Sequence, residues 1–211
     1  MTTRLIVWRH GNTDWNAGHR VQGQTDVPLN ELGRQQAVEA AALLVRFRPE
    51  VLVSSDLRRA ADTAAALAAL TGLEGRYDDR LRERYFGPWE GLTMAEVAAS
   101  RPEEHARWTA GEDYVGAEVE TLHDLGKRMC DGLLAAAELG SHGGTVVVAT
   151  HGAAARQGIG HLLGWPREQL RTLRALQNCH WVELTHDAAR GWQIGAYNVG
   201  VLSERPVPPP V

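Results

Sequence analysis

The sequence predicts an α/β protein, a three-layer α/β/α sandwich with a mostly parallel central sheet. Short apolar runs alternate along the chain with amphipathic helical segments, which is the order typical of this fold class. The first three runs are apolar almost throughout, as expected of strands buried on both faces of a parallel sheet. Polar residues follow each of these runs directly, at the strand ends where such sheets bind ligands.

Five strands are predicted from runs rich in β-branched residues. The three buried candidates are Arg4–Trp8, Val51–Ser54 and Thr145–Ala149. Two later runs, HWVELTHD and GWQIGAYN, are predicted as strands joined by a turn near Ala189–Gly191.

Four segments have apolar residues at helical spacing. ELGRQQAVEAAALLVRF has Asn30 as its candidate N-cap, and DLRRAADTAAALAALTG closes on Gly72 at a C′ position. EVETLHDLGKRMCDGLLAAAELG predicts a long amphipathic helix that ends at Gly140. AAARQGIGHLLG follows the third buried strand, so strands and helices alternate as the fold class requires.

Composition indicates one soluble domain over residues 1–205, followed by an extended Pro-rich tail at 206–211. A net charge of −4 argues against a nucleic-acid partner, and no run approaches the length of a membrane span. The N-terminal apolar run is too short for a secretion signal. Cys130 and Cys179 have no zinc-site spacing and are expected to be free thiols, although a disulfide is the alternative. We therefore expect a cytoplasmic protein, and chain size alone suggests a homodimer.

Three strand ends carry residues suited to phosphate chemistry. The motifs are Arg9-His10-Gly11, SSDLRRAADTA at 54–64 and ATHGAAAR at 149–156. A neutral imidazole is a nucleophile near neutral pH, and an arginine fork donates two parallel hydrogen bonds to a phosphoryl group. His10 is the candidate nucleophile, and His151 is a candidate donor. Gly11 and Gly152 would allow close backbone approach.

A general acid is also needed, because the leaving alkoxide must take up a proton. The segment LRERYFGPWEGLT offers Glu83 in a turn-like context. Each of these residues also has a structural interpretation: a histidine at a strand end is often part of the core, and Arg58 and Arg59 could form a solvated face. The other histidines have no informative spacing and are expected to be structural or solvent-facing.

In order and spacing, RHGNTDWN, SSDLRRAADTA, LRERYFGPWEG and ATHG resemble the signature blocks of the histidine phosphatase superfamily, in its phosphoglycerate mutase-like branch. The resemblance spans roughly residues 4–200. It implies that His10 becomes phosphorylated, that Glu83 is the proton donor, and that the phosphate pocket is formed by Arg9, Arg59 and His151. It further implies that Asn16 contacts phosphate, and that the pocket mouth includes Thr13, Gln22 and Gly23. No metal and no cofactor are expected, since the arginines neutralise the charge.

The same pocket would serve a phosphatase, a bisphosphoglycerate-dependent mutase or a non-catalytic phosphate-binding module. The resemblance places a lid insertion at about 92–125, and residues 92–119 hold Arg101 and Arg107 against six carboxylates. That balance would not favour a phosphoglycerate anion, so we expect a phosphatase that releases inorganic phosphate from a small metabolite. Candidate substrates are glucosyl-3-phosphoglycerate, α-ribazole phosphate, a sugar phosphate or a broad range of phosphomonoesters. The usual glycines before the long helix are replaced by Val119, Glu120 and Thr121, which can still cap it.

Overall fold

One six-stranded sheet forms the centre of the molecule. In the computed structural model, which describes residues 3–201, the strand order is β3-β2-β4-β1-β5-β6. Strands β1 to β4 are parallel to one another, whereas β5 and β6 are antiparallel to their neighbours. The strand bounds are β1 Thr3–Arg9, β2 Val51–Ser54, β3 Gly75–Tyr77, β4 Thr145–Thr150, β5 Trp181–Asp187 and β6 Gly191–Val199.

The five strands expected from sequence are confirmed, with small shifts at their ends, and a short sixth strand was missed. Strand β3 consists of Gly75, Arg76 and Tyr77, and it has no apolar run by which it could be recognised. It pairs only with β2 at the edge of the sheet. The predicted Pro-rich tail at 206–211 lies outside the described residues.

Helices cover both faces of this sheet, so the three-layer sandwich is confirmed. Alternate residues of β1 enter opposite cores: Leu5 and Val7 pack with α6 and α7, whereas Ile6 and Trp8 pack with α2 and α3. All four side chains are fully buried. The helix bounds are α1 Asp14–Ala17, α2 Glu31–Leu44, α3 Arg58–Thr71, α4 Met94–Ser100, α5 Pro102–Ala110, α6 Leu122–Glu138, α7 Gly152–Leu162 and α8 Arg167–Leu170.

Local capping explains where the main helices begin and end. Asn30 Oδ1 accepts a hydrogen bond from Gly33 N at 2.9 Å, as its N-cap position predicts. Gly72 ends α3 with φ +71°, a left-handed conformation that favours glycine. The expected start of the long helix at Glu118 is wrong, because Thr121 Oγ1 accepts from Asp124 N at 3.0 Å and caps the helix there.

The lid region has its own small apolar cluster. No helix was predicted from the sequence between residues 92 and 117, yet α4 and α5 both lie there. Their cluster is centred on Phe86, Trp89, Val97, Val115 and Val119. This cluster is separate from the two apolar cores that flank the sheet.

The structure also tests two expectations drawn from composition, namely that the two thiols are free and that no segment is long enough to span a membrane. Cys130 and Cys179 are free and buried, which confirms that they are unpaired. Within residues 3–201, no helix has both the length and the apolar character that a bilayer span requires.

Candidate active site

The three polar motifs meet at the C-terminal edge of the parallel strands. Strands β2, β4 and β1 are neighbours in the sheet, so the residues that follow them lie side by side. His10 N donates to Thr150 O, and Ser55 N donates to Ala149 O, both at 2.9 Å. The rings of His10 and His151 are 5.2 Å apart between centroids. Residues far apart in sequence therefore form one polar site.

His10 is buried and held in a defined tautomer. Its Nδ1 lies 2.7 Å from Gly11 O. A carbonyl oxygen can only accept, so Nδ1 carries the proton and Nε2 keeps its lone pair. Burial and the positive charges of Arg59 and Arg9 hold the pKa of His10 well below its ordinary value, against the opposing effect of the Gly11 hydrogen bond. The ring is therefore neutral at neutral pH.

The backbone around His10 is fixed by contacts that leave no room for side-chain atoms. Gly11 N donates to Thr63 Oγ1 at 3.0 Å. A Cβ atom on Gly11 would lie 2.4 Å from Gly33 O, so only glycine fits. Asn178 Nδ2 donates to His10 O at 3.0 Å and to Gly11 O at 3.1 Å. These contacts hold the backbone that carries the His10 imidazole at the edge of the sheet.

Arg59 is completely buried and connects three parts of the site. Its Nη1 donates to Thr25 O at 2.8 Å, and its Nη2 donates to Gly23 O at 2.7 Å. Its Nε donates to His151 Nδ1 at 3.2 Å. Burial lowers the pKa of Arg59 to about 10, so the guanidinium stays charged at neutral pH. Its neighbour Arg58 is exposed, as expected if Arg59 is the residue of the pair that serves the pocket.

His151 is also neutral, with its proton on the other ring nitrogen. Because Nδ1 accepts from Arg59, the proton is on Nε2, which lies 2.9 Å from Ser55 Oγ. Burial and the charge of Arg59 hold the pKa of His151 well below its ordinary value. The two histidines thus present opposite protonation patterns, one with a free Nε2 and the other with a protonated Nε2.

Arg9 supplies a second guanidinium at the site. Its Nη1 donates to Leu176 O, and its Nε has no hydrogen-bond partner among residues 3–201. Burial lowers the pKa of Arg9, while the charge of Glu83 acts in the opposite direction. A Cβ on Gly152 would lie 3.4 Å from Arg9 Nε, so this glycine faces the guanidinium closely.

The carboxylate of Glu83 lies at the N-terminus of α7. Its Oε2 accepts from Ala153 N at 3.1 Å, and its Oε1 accepts from Ala154 N at 2.9 Å. Oε1 also accepts from Arg84 N at 2.9 Å. The positive end of the helix dipole favours a carboxylate there. The fold thus brings Glu83 beside the loop that carries His151.

Asn16 and its neighbours form a polar wall next to His10. Asn16 Oδ1 accepts from Asn178 Nδ2 at 3.3 Å, which links it to the backbone of His10. Thr13 caps α1 by accepting from Asn16 N at 3.0 Å. Gln22 Oε1 lies 3.1 Å from Thr13 Oγ1. Three of the four residues expected near the phosphate or the pocket mouth are therefore in one connected network.

Gly23 is held by a close contact with Glu90. Gly23 has φ +53°, and a Cβ there would lie 2.0 Å from Glu90 Oε1. Glu90 in turn accepts from Gln24 N at 3.0 Å and from Thr25 N at 2.9 Å. These contacts shape the loop whose carbonyl groups accept from Arg59.

Sequence reasoning missed three residues that build the site. Ser55 lies within the quoted block SSDLRRAADTA, so its position after β2 was a usable signal. Asn178 and Glu90 act mainly on backbone groups, and no local pattern marks such a role. Their contribution depends on loops that meet only in the folded chain.

A neutral histidine beside the fully buried guanidinium of Arg59 and the half-buried side chain of Arg9 is an arrangement suited to phosphoryl transfer through a histidine nucleophile. The model of the histidine phosphatase superfamily (branch 1) matches residues 5–200, and the chain belongs to that superfamily.

Two groups of similar proteins agree with this assignment. The chain is 37% identical over 220 residues to glucosyl-3-phosphoglycerate phosphatase of Mycolicibacterium vanbaalenii, covering 92% of this chain and 94% of that protein. The mycobacterial glucosyl-3-phosphoglycerate phosphatase complexed with VO3 is 36% identical, with a TM-score of 0.86 over 93% of this chain and 99% of that one. Its complex with inorganic phosphate has a TM-score of 0.80 at 37% identity, over 93% of this chain and 97% of that one. The chain is accordingly a hydrolase of the histidine phosphatase class.

Proposed function

We propose that this protein hydrolyses a small phosphorylated metabolite by transferring its phosphoryl group to His10 Nε2 and then to water. The observation that carries the proposal is the hydrogen bond between His10 Nδ1 and Gly11 O, which leaves Nε2 unprotonated in a neutral ring. An imidazole in this state can attack phosphorus without first losing a proton.

The arginines supply the charge that phosphoryl transfer needs. An arginine side chain has five N–H donors, and Arg59 uses three of them on the protein, so two remain for phosphate oxygens. Arg9 adds the unpartnered Nε and a second full charge. Asn16 contributes its amide NH2, because its Oδ1 already accepts from Asn178. This donor set performs the charge neutralisation that a metal ion performs in other phosphoryl-transfer sites.

Further residues shape the pocket in this proposal. His151 donates to the phosphoryl group when its Nε2–H turns from Ser55 to the substrate. Gly152 leaves space beside Arg9. Thr13, Gln22 and Gly23 form the mouth and hold Asn16 and Arg59 in place.

Glu83 is the proposed proton donor and, in the second step, the base. Three backbone N–H groups fix its two carboxylate oxygens beside the loop of His151. The first step starts with Glu83 in its protonated form: His10 Nε2 bonds to phosphorus, the bond from phosphorus to the leaving oxygen breaks, and Glu83 delivers its proton to that oxygen. In the second step Glu83 takes a proton from water as the water attacks the phosphohistidine, and inorganic phosphate leaves.

The contacts of the lid favour hydrolysis over mutase chemistry. Arg101 pairs with Glu104 at 3.3 Å, and Arg107 lies 5.8 Å from the ring centroid of Tyr114. Both arginines are therefore engaged within the lid itself. A non-catalytic module is disfavoured by the presence of His10, Glu83 and His151 in one connected site.

The substrate that the relatives favour is a phosphorylated sugar acid. Proteins named glucosyl-3-phosphoglycerate phosphatase match 92% of the chain, which makes that compound the first candidate. A sugar phosphate and α-ribazole phosphate are the alternatives. Buried, unpaired Cys130 and Cys179 are consistent with the reducing cytoplasm that we propose as the location. A homodimer stays a prediction from chain size.

The proposal is tested by measuring phosphate release and the phosphoenzyme together. The purified protein is assayed on nitrophenyl phosphate and on a panel of phosphorylated metabolites that includes glucosyl-3-phosphoglycerate. Rapid quenching during turnover should trap an acid-labile, base-stable phosphate on the protein. Absence of hydrolysis across the panel would refute the proposal, and bisphosphoglycerate-dependent interconversion of 2- and 3-phosphoglycerate would replace it with mutase activity.

A further inference from the structure

Glu83 lies in a segment, residues 80–83, that belongs to no strand or α-helix of the described chain. The backbone carbonyl groups of this segment therefore need partners from elsewhere in the fold. Arg128 of α6 binds three of them. Its Nη1 donates to Arg80 O at 2.9 Å and to Arg82 O at 2.7 Å, and its Nη2 donates to Glu83 O at 2.8 Å. A single side chain thus holds the backbone that carries the proposed proton donor.

The guanidinium of Arg128 is fully occupied by protein groups. Its Nε donates to Glu120 Oε1 at 2.6 Å and its Nη2 to Glu120 Oε2 at 2.9 Å, which makes a bidentate ion pair. The side chain of Arg128 is 22% exposed and that of Glu120 is 14% exposed. Together with the three carbonyl contacts, these hydrogen bonds use the five N–H donors of an arginine. Arg128 therefore has no donor left for a substrate.

Glu120 also binds the backbone two residues beyond Glu83. Its N donates to Tyr85 O at 2.9 Å, and its Oε2 accepts from Tyr85 N at 3.0 Å. Capping of α6 is performed by the neighbouring Thr121. The carboxylate of Glu120 thus connects Arg128 to the chain on the far side of Glu83.

The side chain of Glu83 is held by a second helix. Its carboxylate accepts from two backbone N–H groups in the first turn of α7. Helices α6 and α7 are in close contact, since a Cβ atom on Gly158 would lie 2.2 Å from Met129 Cγ. Thr150 Oγ1 donates to Leu81 O at 2.7 Å, so the fourth carbonyl of the segment is bound as well. The backbone and the carboxylate of Glu83 are therefore attached to one closely packed pair of helices.

We propose that the ion pair between Glu120 and Arg128 positions Glu83 for proton transfer to the leaving oxygen. The inference rests on the proposed phosphatase function. Arg128 contacts neither phosphate nor leaving group in this account, so it is a positioning residue that acts through Glu83. Its effect on the rate must then increase with the need of the leaving group for a proton.

An ion pair that only stabilises the fold would give a different result. Its loss would lower the thermal unfolding midpoint and would reduce activity on every phosphomonoester to the same degree. The informative quantity is therefore a ratio, kcat/KM for nitrophenyl phosphate divided by kcat/KM for the best alkyl phosphomonoester of the metabolite panel. We call it the leaving-group ratio. Because kcat/KM covers the steps up to phosphorylation of His10, the later hydrolysis of the phosphoenzyme does not enter it.

Arg128→Lys keeps the charge but leaves three donors and no planar fork, so it cannot maintain all five contacts. We expect kcat/KM for the alkyl phosphate to fall about tenfold or more and that for nitrophenyl phosphate to fall much less, so the leaving-group ratio rises. Glu120→Gln keeps the size of its side chain but removes the ion pair, and it should raise the ratio in the same direction. Lys127→Gln is the matched control, since it breaks an exposed ion pair with Asp131 on the same helix and should leave the ratio unchanged.

A double-mutant cycle tests whether Arg128 acts through Glu83. Glu83→Gln alone should raise the leaving-group ratio, and Arg128→Lys added to it should raise the ratio no further. A further rise in the double variant would show that Arg128 acts on the leaving group by another route and would overturn the inference.

The remaining outcomes separate this inference from the proposed function. An unchanged leaving-group ratio in Arg128→Lys and Glu120→Gln would identify a purely structural ion pair and overturn the inference, while hydrolysis of nitrophenyl phosphate would still support the proposed function. If Arg128→Lys does not fold, as judged by thermal unfolding, Glu120→Gln decides the question through the same ratio. If the wild-type protein hydrolyses no phosphomonoester, the proposed function fails and the inference with it.

Discussion

Arg59 Nε donates to His151 Nδ1 across 3.2 Å, inside a fully buried part of the site. This contact determines which nitrogen of His151 carries the proton, because an arginine can only donate. It also joins the residues that follow β2 and β4 into one unit. The orientation of the Arg59 guanidinium is thus set by contacts within the protein, and in the proposed function it would stabilise a phosphoryl group without reorganising.

Replacing the nucleophile should abolish turnover. We expect His10→Ala to lose both phosphate release and the acid-labile phosphate on the protein, because no other imidazole in the site has a free Nε2 facing the phosphate. Phosphate release and phosphoenzyme are measured by rapid quench. His142→Ala, which alters an exposed histidine, serves as the control and should retain both. Turnover by His10→Ala at the wild-type rate would show that another group is the nucleophile.

The role of Glu83 predicts a dependence on the leaving group. Glu83→Gln keeps the size of the side chain but cannot protonate the leaving oxygen. We expect kcat/KM to fall about a hundredfold for alkyl phosphates and much less for nitrophenyl phosphate, whose leaving group needs little protonation. Glu74→Gln at an exposed position is the matched control. Equal losses on both substrates would contradict the proton-donor role.

The strand-end motifs could be predicted from sequence because each is local: a strand, then a charged or small residue, then a helix. His10 and His151 follow from that pattern, and so does an arginine at position 58 or 59, whereas the choice of Arg59 came from the family resemblance. Asn178 could not be predicted, since it lies 168 residues from His10 and contacts backbone carbonyls and the side-chain amides of Asn12 and Asn16 there. The lid helices were missed because polar residues dominate α5, whose packing depends on Trp108 and its neighbours.

The depressed pKa of His10 predicts how stability varies with pH. Burial and two arginines keep this ring neutral in the folded state, whereas in the unfolded chain it takes up a proton below its ordinary pKa of 6.5. The unfolded state therefore binds more protons as pH falls below that value. The contribution of neutral His10 to the free energy of unfolding is fully present above pH 6.5. It is lost as the pH decreases toward the pKa of His10 in the folded protein, by up to about 1.4 kcal/mol per pH unit.

Urea unfolding at several pH values between 7.5 and 5 measures this effect. His10→Gln removes one titrating group, so the free energy of unfolding of this variant should depend less steeply on pH than that of the wild type. His142→Gln, at an exposed position, should keep the wild-type slope. Parallel curves for wild type and His10→Gln would mean that His10 titrates normally in the folded protein.

Arg58 and Arg59 are adjacent, but only Arg59 is buried, so the same substitution at both positions tests the role of the buried guanidinium. Lysine at position 59 keeps the charge, but one ammonium cannot reach Thr25 O, Gly23 O and His151 Nδ1 in the geometry of the arginine fork. We expect Arg59→Lys to lower kcat/KM about a hundredfold or more, since the phosphate loses aligned donors. The free energy of unfolding should fall by about 1–3 kcal/mol because buried acceptors lose their partners. Arg58→Lys changes the exposed neighbour and should alter neither quantity appreciably. Wild-type kcat/KM in Arg59→Lys would show that charge alone serves the site, and a similar loss in both variants would show that the effect is not specific to the fork of Arg59.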